Sequence, residues 1–234
     1  METKHTKCLD LSGLALYVIP KPVHKLTAVL RHLYLHRCSL KDDFPFEIIS
    51  NLLLHLETLD ISQNRITIIP DSFCVAARKL RVLDVSYNSL YRLPSSLDDL
   101  VSLEELNAAH NNLIYVPSEL GKLRNLQEVD LNHNQILGLP AALFESCAIS
   151  SLRSINLSAN QITELPLSIG NLRNLKSLKL TGNQLKYLPV TIKQLLKLQT
   201  LYYGDNHWFA GSPLANSGKA YGVKALLVAH ELSL

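Results

Sequence analysis

The chain has 234 residues, 47% hydrophobic and 18% charged, and its 23 Lys and Arg against 20 Asp and Glu leave a net charge of only +3. That balance excludes a disordered tail and provides no bulk attraction for nucleic acid. With 9 Gly, 10 Pro and 4 Cys, collagen-like, linker and disulfide-scaffold classes are excluded, and no apolar run reaches the roughly 18 residues of a membrane span. The opening METKHTKCL has no apolar core of the kind a secretory signal needs, so the first expectation is a soluble, cytoplasmic protein with reduced thiols.

In chain order, one frame recurs. The segment from Leu175 to Pro189, LKSLKLTGNQLKYLP, reads L-x-x-L-x-L-x-x-N-x-L-x-x-L-P. The frame starts near residues 6, 30, 56, 80, 103, 126, 152, 175 and 198. Its Asn column holds Asn64, Asn88, Asn111, Asn134, Asn160, Asn183 and Asn206, and Pro70, Pro94, Pro117, Pro140, Pro166 and Pro189 follow the first six of these. Within L-x-L the leucines alternate with period two, which predicts a short strand with both leucines pointing to one side. The Asn amide, placed where the chain leaves the strand, can satisfy backbone groups of the neighbouring turn. The proline fixes φ and removes a donor, so it ends the extended segment and begins a return leg. A strand occupies about 4.8 Å of sheet width and the return leg is bulkier, so the stack is expected to curve with its strands inside.

These columns resemble the leucine-rich repeat, and in particular its intracellular class whose unit ends in LPxxLxxLxx. The resemblance covers about residues 6 to 209 and is similar to members that scaffold Ras and phosphatase signalling, including Ras-suppressor-type proteins. It implies an α/β leucine-rich repeat solenoid: a curved horseshoe with a parallel β-sheet on the concave face and short helices, 3-10 turns and loops on the convex face. The expected organisation is a solenoid of nine repeats over residues 1–209, then a polar linker and a capping helix over 210–234.

Departures from the frame carry their own expectations. The Asn column holds Leu14 in the first unit and Cys38 in the second. The second and sixth units run to 26 residues, and such insertions map to the outer face. Phe46 to His55 is apolar enough for a true helix. No cysteine-rich cap is visible, so Lys7 to Leu11 is the expected exposed edge. In the last unit Trp208 stands where Leu belongs. The tail from Tyr221 to Leu232 has two apolar helical faces. It either caps the last coil or offers the second face to an adaptor or to another copy of the chain.

Two columns of the repeat face away from the leucines and are free of packing demands. One holds Asp10, Tyr34, Asp60, Asp84, Asn107, Asp130, Asn156, Lys179 and Tyr202; the other holds Gly13, Arg37, Gln63, Tyr87, His110, His133, Ala159, Gly182 and Asp205. From these, Tyr34, Arg37, Asp60, Asp84, Tyr87, Asn107, His110, Asp130, His133, Lys179 and Tyr202 are the expected partner-binding residues. Charge is segregated: residues 42–147 hold 15 acids and 7 basic residues, whereas 165–204 hold six Lys or Arg and no acid. Such a pattern either steers a complementary partner or solvates the outer face.

No Gly-rich phosphate loop, nucleophile elbow, CxxC or HExxH occurs. His110 and His133, near Asp84 and Asp130, are the best constellation for zinc or proton transfer, and recognition explains them more simply. The expectation is therefore a non-catalytic protein-interaction module without cofactor or metal, binding a protein partner rather than nucleic acid. The alternative is a substrate receptor of a ubiquitin ligase whose terminal helix docks an adaptor. The adaptor box of that family wants a small residue or Cys four positions after its leading Leu, and here Leu226 is followed by His230.

Overall fold

The computed structural model describes residues 7–16, 29–41, 53–145, 147–208 and 219–221. Three-residue strands recur two positions after the start of each frame: β1 (Cys8–Asp10), β2 (His32–Tyr34), β3 (Thr58–Asp60), β4 (Val82–Asp84), β5 (Glu105–Asn107), β6 (Glu128–Asp130), β7 (Ser154–Asn156), β8 (Ser177–Lys179) and β9 (Thr200–Tyr202). Each pairs parallel with the next, residue for residue, in a single open sheet. Parallel neighbours need a crossover, and the return leg supplies it. A tenth strand, β10 (Lys219–Tyr221), pairs antiparallel with β9 and closes that edge. The sequence offers no alternating pattern there, and none was expected. The rest of the expected terminal helix, and the expected helix over residues 46–55 up to residue 52, lie outside the described residues.

The frame leucines form one continuous core. Leu56, Leu59, Ile61 and Ile66 of one coil and Leu126, Leu131 and Ile136 of another are at most 1% exposed. On the outer side the described return legs form 3-10 turns, as at Ser118–Lys122, Leu167–Asn171 and Val190–Gln194, and one short helix, α1 (Asp71–Ala76). The prolines sit at the position before the first turn residue with φ between −66° and −71° at Pro70, Pro117 and Pro140, the value the ring imposes. The long sixth unit fits its extra residues as a second 3-10 turn, Cys147–Ser151, after the first at Ala141–Phe144. At the last coil Tyr203 fills an inward leucine position at 1% exposure, and Trp208 packs edge-on against it with ring centroids 6.3 Å apart. The Trp208 indole N–H donates to the Tyr203 carbonyl at 3.2 Å.

The Asn column ties coil to coil as its position predicts. Asn134 is typical: its Oδ1 accepts from the Leu113 N–H at 3.0 Å, and its Nδ2 donates to the Ala108 carbonyl of the preceding coil at 3.0 Å and to Leu131 of its own at 3.0 Å. The same pattern runs through Asn64, Asn88, Asn111, Asn160, Asn183 and Asn206. Cys38 keeps half of it: its thiol donates to Leu11 O at 3.2 Å, while the N–H of Leu16 bonds to the Cys38 backbone carbonyl instead. A thiol is a weak donor, and this coil lies next to the edge strand.

Candidate functional site

The concave surface is built from strand residues that point away from the core. Register places Asp10, Tyr34, Asp60, Asp84, Asn107, Asp130, Asn156, Lys179 and Tyr202 side by side across nine strands. This column is free of packing demands, yet hydrogen bonding makes demands of its own. Each Asp or Asn in it closes a turn by accepting from the N–H two residues on, at 2.9 Å in Asp60 to Ser62 and Asp84 to Ser86. Asp10, Asn107, Asp130 and Asn156 do the same. The second oxygens of Asp84 and Asp130 accept from Asn107 Nδ2 at 2.9 Å and Asn156 Nδ2 at 3.1 Å, so the four interlock in pairs. Tyr34, Lys179 and Tyr202 depart from the turn-forming type, and the Lys179 ammonium stands 5.9 Å from the centre of the Tyr202 ring.

The second column also has a structural reason. Arg37, Gln63, Tyr87, His110, His133, Ala159 and Asp205 all have φ between 51° and 56°, and Gly13 and Gly182 stand at 76° and 70°. Every coil therefore turns through the left-handed region at the same place, which disfavours β-branched residues and admits Gly, Asp and His. The side chains that remain form a ladder. Arg37 donates to the Gln63 carboxamide; Tyr87 stacks on His110 at 4.1 Å and 11°, and His110 on His133 at 4.2 Å and 14°. Face-to-face imidazoles keep their nitrogen lone pairs in separate, near-parallel planes, so this pair does not converge on a shared metal ion.

Partial burial within this stack, and then the charge of His133, hold His110 below the ordinary imidazole pKa of 6.5 against the opposing pull of Asp130. The unfolded chain then takes up a proton before the folded one does. Stability should fall as pH drops below about 6.5, and level off once pH is below the folded value. Replacing His110 with Asn, which tolerates the left-handed turn, should reduce the difference in Tm between about pH 7.5 and about pH 5. An unchanged difference would contradict this reading of the stack.

One outward-facing column escaped the sequence reading. Residues one place before the middle strand leucine share its outward face with the Asp column, because the side-chain period is two. Here they are Val82, Glu105 and Glu128 in β4, β5 and β6. With Asp84, Asp130 and, at one end, Lys179, they line a bowl of about 330 Å³. Glu105 and Glu128 are in register on adjacent strands, both exposed, and neither forms an ion pair among the described residues. Like charges opposite one another are destabilising, and a cation placed between them relieves that. The alternation rule applied one residue earlier finds this column.

A second, larger cleft of about 1020 Å³ runs along the proline turns past Tyr115, Leu137 and Leu167. Gly138 lies in its lining, in the column that holds Tyr115 and Glu164 in the flanking coils, with open space where a side chain would begin. Cys38 and Cys74 are buried, and burial raises both thiols, Cys74 to about 12, so neither is a ready nucleophile. No helix among the described residues is long and apolar enough to cross a membrane.

Coils of about two dozen residues, with a parallel strand inside, short turns outside and an asparagine ladder between, define a leucine-rich solenoid. The chain belongs to the leucine-rich repeat family, which matches it at residues 54–113, 124–185 and 150–207. A search of curated proteins finds no match. Among solved structures, a leucine-rich repeat protein of Leptospira interrogans is 29% identical over 86% of this chain and 55% of its own, with a TM-score of 0.65. An internalin of Listeria monocytogenes is 26% identical over 85% of this chain and 54% of its own, at 0.70. The plant peptide hormone receptor RGFR1, solved in complex with RGF2, is 30% identical over 86% of this chain and 32% of its own, at 0.73. The chain thus spans about half the length of the first two structures and a third of the receptor.

Proposed function

We propose that the chain is a non-catalytic scaffold whose concave face holds a cationic segment of a protein partner in cytoplasmic signalling. The observation that carries this is the pair of adjacent, unpaired carboxylates at Glu105 and Glu128, flanked by Asp84 and Asp130 in one bowl. The neighbouring stack of Tyr87, His110 and His133 offers flat aromatic area beside the charge, a common composition for recognition surfaces. Tyr34, Asp60 and Arg37 extend the surface toward β1 and Lys179 and Tyr202 toward β9, while Asn107 lies within the bowl between Asp84 and Asp130. The similar plant receptor was solved with a peptide hormone, which supports peptide recognition on this architecture. The free thiols Cys8, Cys38 and Cys74 suit a reducing compartment.

Glu105→Gln with Glu128→Gln removes the charge without touching the turn-closing oxygens. Affinity for partners recovered with the native chain should fall roughly tenfold or more, with the thermal melt unchanged. Retention of every partner by this double variant, and by a further one with Tyr34→Ala and Tyr87→Ala, would end the concave-face reading.

A further inference from the structure

The residues immediately before the strands form a rim, and the rim changes character halfway along. From Arg31 to Glu104 cations and acids alternate from coil to coil and pair. Arg31 Nε lies 3.5 Å from Glu57, and Arg81 grips Glu104 with two bonds of 2.9 Å. In the second half the same column reads Gln127, Arg153, Lys176 and Gln199, so arginine and glutamine stand at 153 and 199 where the alternation calls for acids. Arg153 and Lys176, together with Arg124 and Lys197, line a groove of about 400 Å³ that contains no acidic residue. All four are exposed, and none forms an ion pair among the described residues. Lys197 is steered by a 2.6 Å bond to Asn174 Oδ1.

Four cations in one groove repel each other, and the chain lacks the acids that relieve the same columns elsewhere. We infer that this groove binds an extended acidic peptide segment of a protein, its anions being carboxylates or phosphorylated side chains. Arg124, Arg153, Lys176 and Lys197 stand shortly before four successive strands, β6 to β9, a run of about 14 Å at the strand spacing, which matches about four residues of extended peptide. A single small anion cannot span that run. The backbone N–H groups of Arg153 and Lys176 are already bonded to Gln127 O and Arg153 O, so recognition falls to the side-chain charges. No aromatic residue lines the groove, which leaves single-stranded nucleic acid without a stacking platform. No groove residue belongs to the acidic bowl, so this inference stands or falls apart from the concave-face proposal.

The test uses the full chain and fluorescence anisotropy with two labelled octapeptides, one of glutamates and serines and the same peptide with the serines phosphorylated. Both should bind saturably, the phosphorylated one more tightly because it carries more charge. Arg153→Gln with Lys176→Gln should weaken binding about tenfold or more. Gln199→Glu should weaken it about threefold or more, by giving Lys176 the partner that Glu104 gives Arg81. Lys41→Gln with Lys186→Gln, which removes the same charge elsewhere, should leave affinity within about twofold. An equal loss in that control would overturn the inference, as would insensitivity to Gln199→Glu or to the groove double variant. Tighter binding of a single-stranded oligonucleotide of equal charge would overturn it in favour of nucleic acid.

Discussion

Asn134→Ala is expected to destabilise the solenoid by about 2–5 kcal/mol, the cost of stranding buried backbone groups. Asn134 is 8% exposed, and its carboxamide joins two coils at once. Without it the N–H of Leu113 loses its partner and the carbonyl of Ala108 keeps only the 3.2 Å bond from Asn111, and neither can turn to water in the closed stack. The measured consequence is a fall in Tm on the order of 10 °C by calorimetry. Asn134→Asp should be no rescue: it keeps an acceptor for Leu113 but turns a second oxygen toward carbonyls that need a donor. Asn206→Ala should cost less, because that amide is only part-buried at the last parallel coil. Equal effects at 134 and 206 would mean that burial does not set the cost.

The second large effect is expected at Leu131, which is fully buried. Leu131→Ala should cost roughly 2–5 kcal/mol, as deletion of an inward leucine does where the neighbours cannot collapse. Because each coil is held only by its neighbours, a weak sixth coil should also broaden the unfolding transition by letting the two halves melt separately. Leu131 and Asn134 are coupled: the Leu131 carbonyl accepts from both Asn134 and Asn160 at 3.0 Å. The double variant should therefore lose less than the two single losses added together. A sharp, unshifted melt for Leu131→Ala would contradict the stacked core.

Much of this architecture was legible because the repeat prints the same physics nine times. Leucines recurring with the strand period identify the core, and the Asn and Pro columns mark where the strand ends and the return begins. What escaped notice depends on backbone conformation or on pairs of coils rather than on residue type. His110 and His133 look like a chemical pair in sequence, yet they occupy a left-handed turn shared by every coil. Asp84 and Asp130 look free, yet each spends one oxygen on its own turn. Glu105 and Glu128 were overlooked although period two places them beside those aspartates. The acid-free stretch at 165–204 was visible as a count, but only pairing across the rim separates neutralised arginines such as Arg81 from unpaired ones such as Arg153. The strand at Lys219–Tyr221 has no alternation to betray it; it pairs because the edge of β9 is open.

The most direct test of the concave-face account is site-specific photo-crosslinking with the partner in native cell extract. A photoreactive residue is placed at Val82, in the lining of the acidic bowl, or at Leu196, 71% exposed on the outer turns. The account predicts a partner adduct from position 82 that disappears when Glu105→Gln and Glu128→Gln are added, and none from position 196. An adduct formed only from position 196, and indifferent to those two changes, would contradict it.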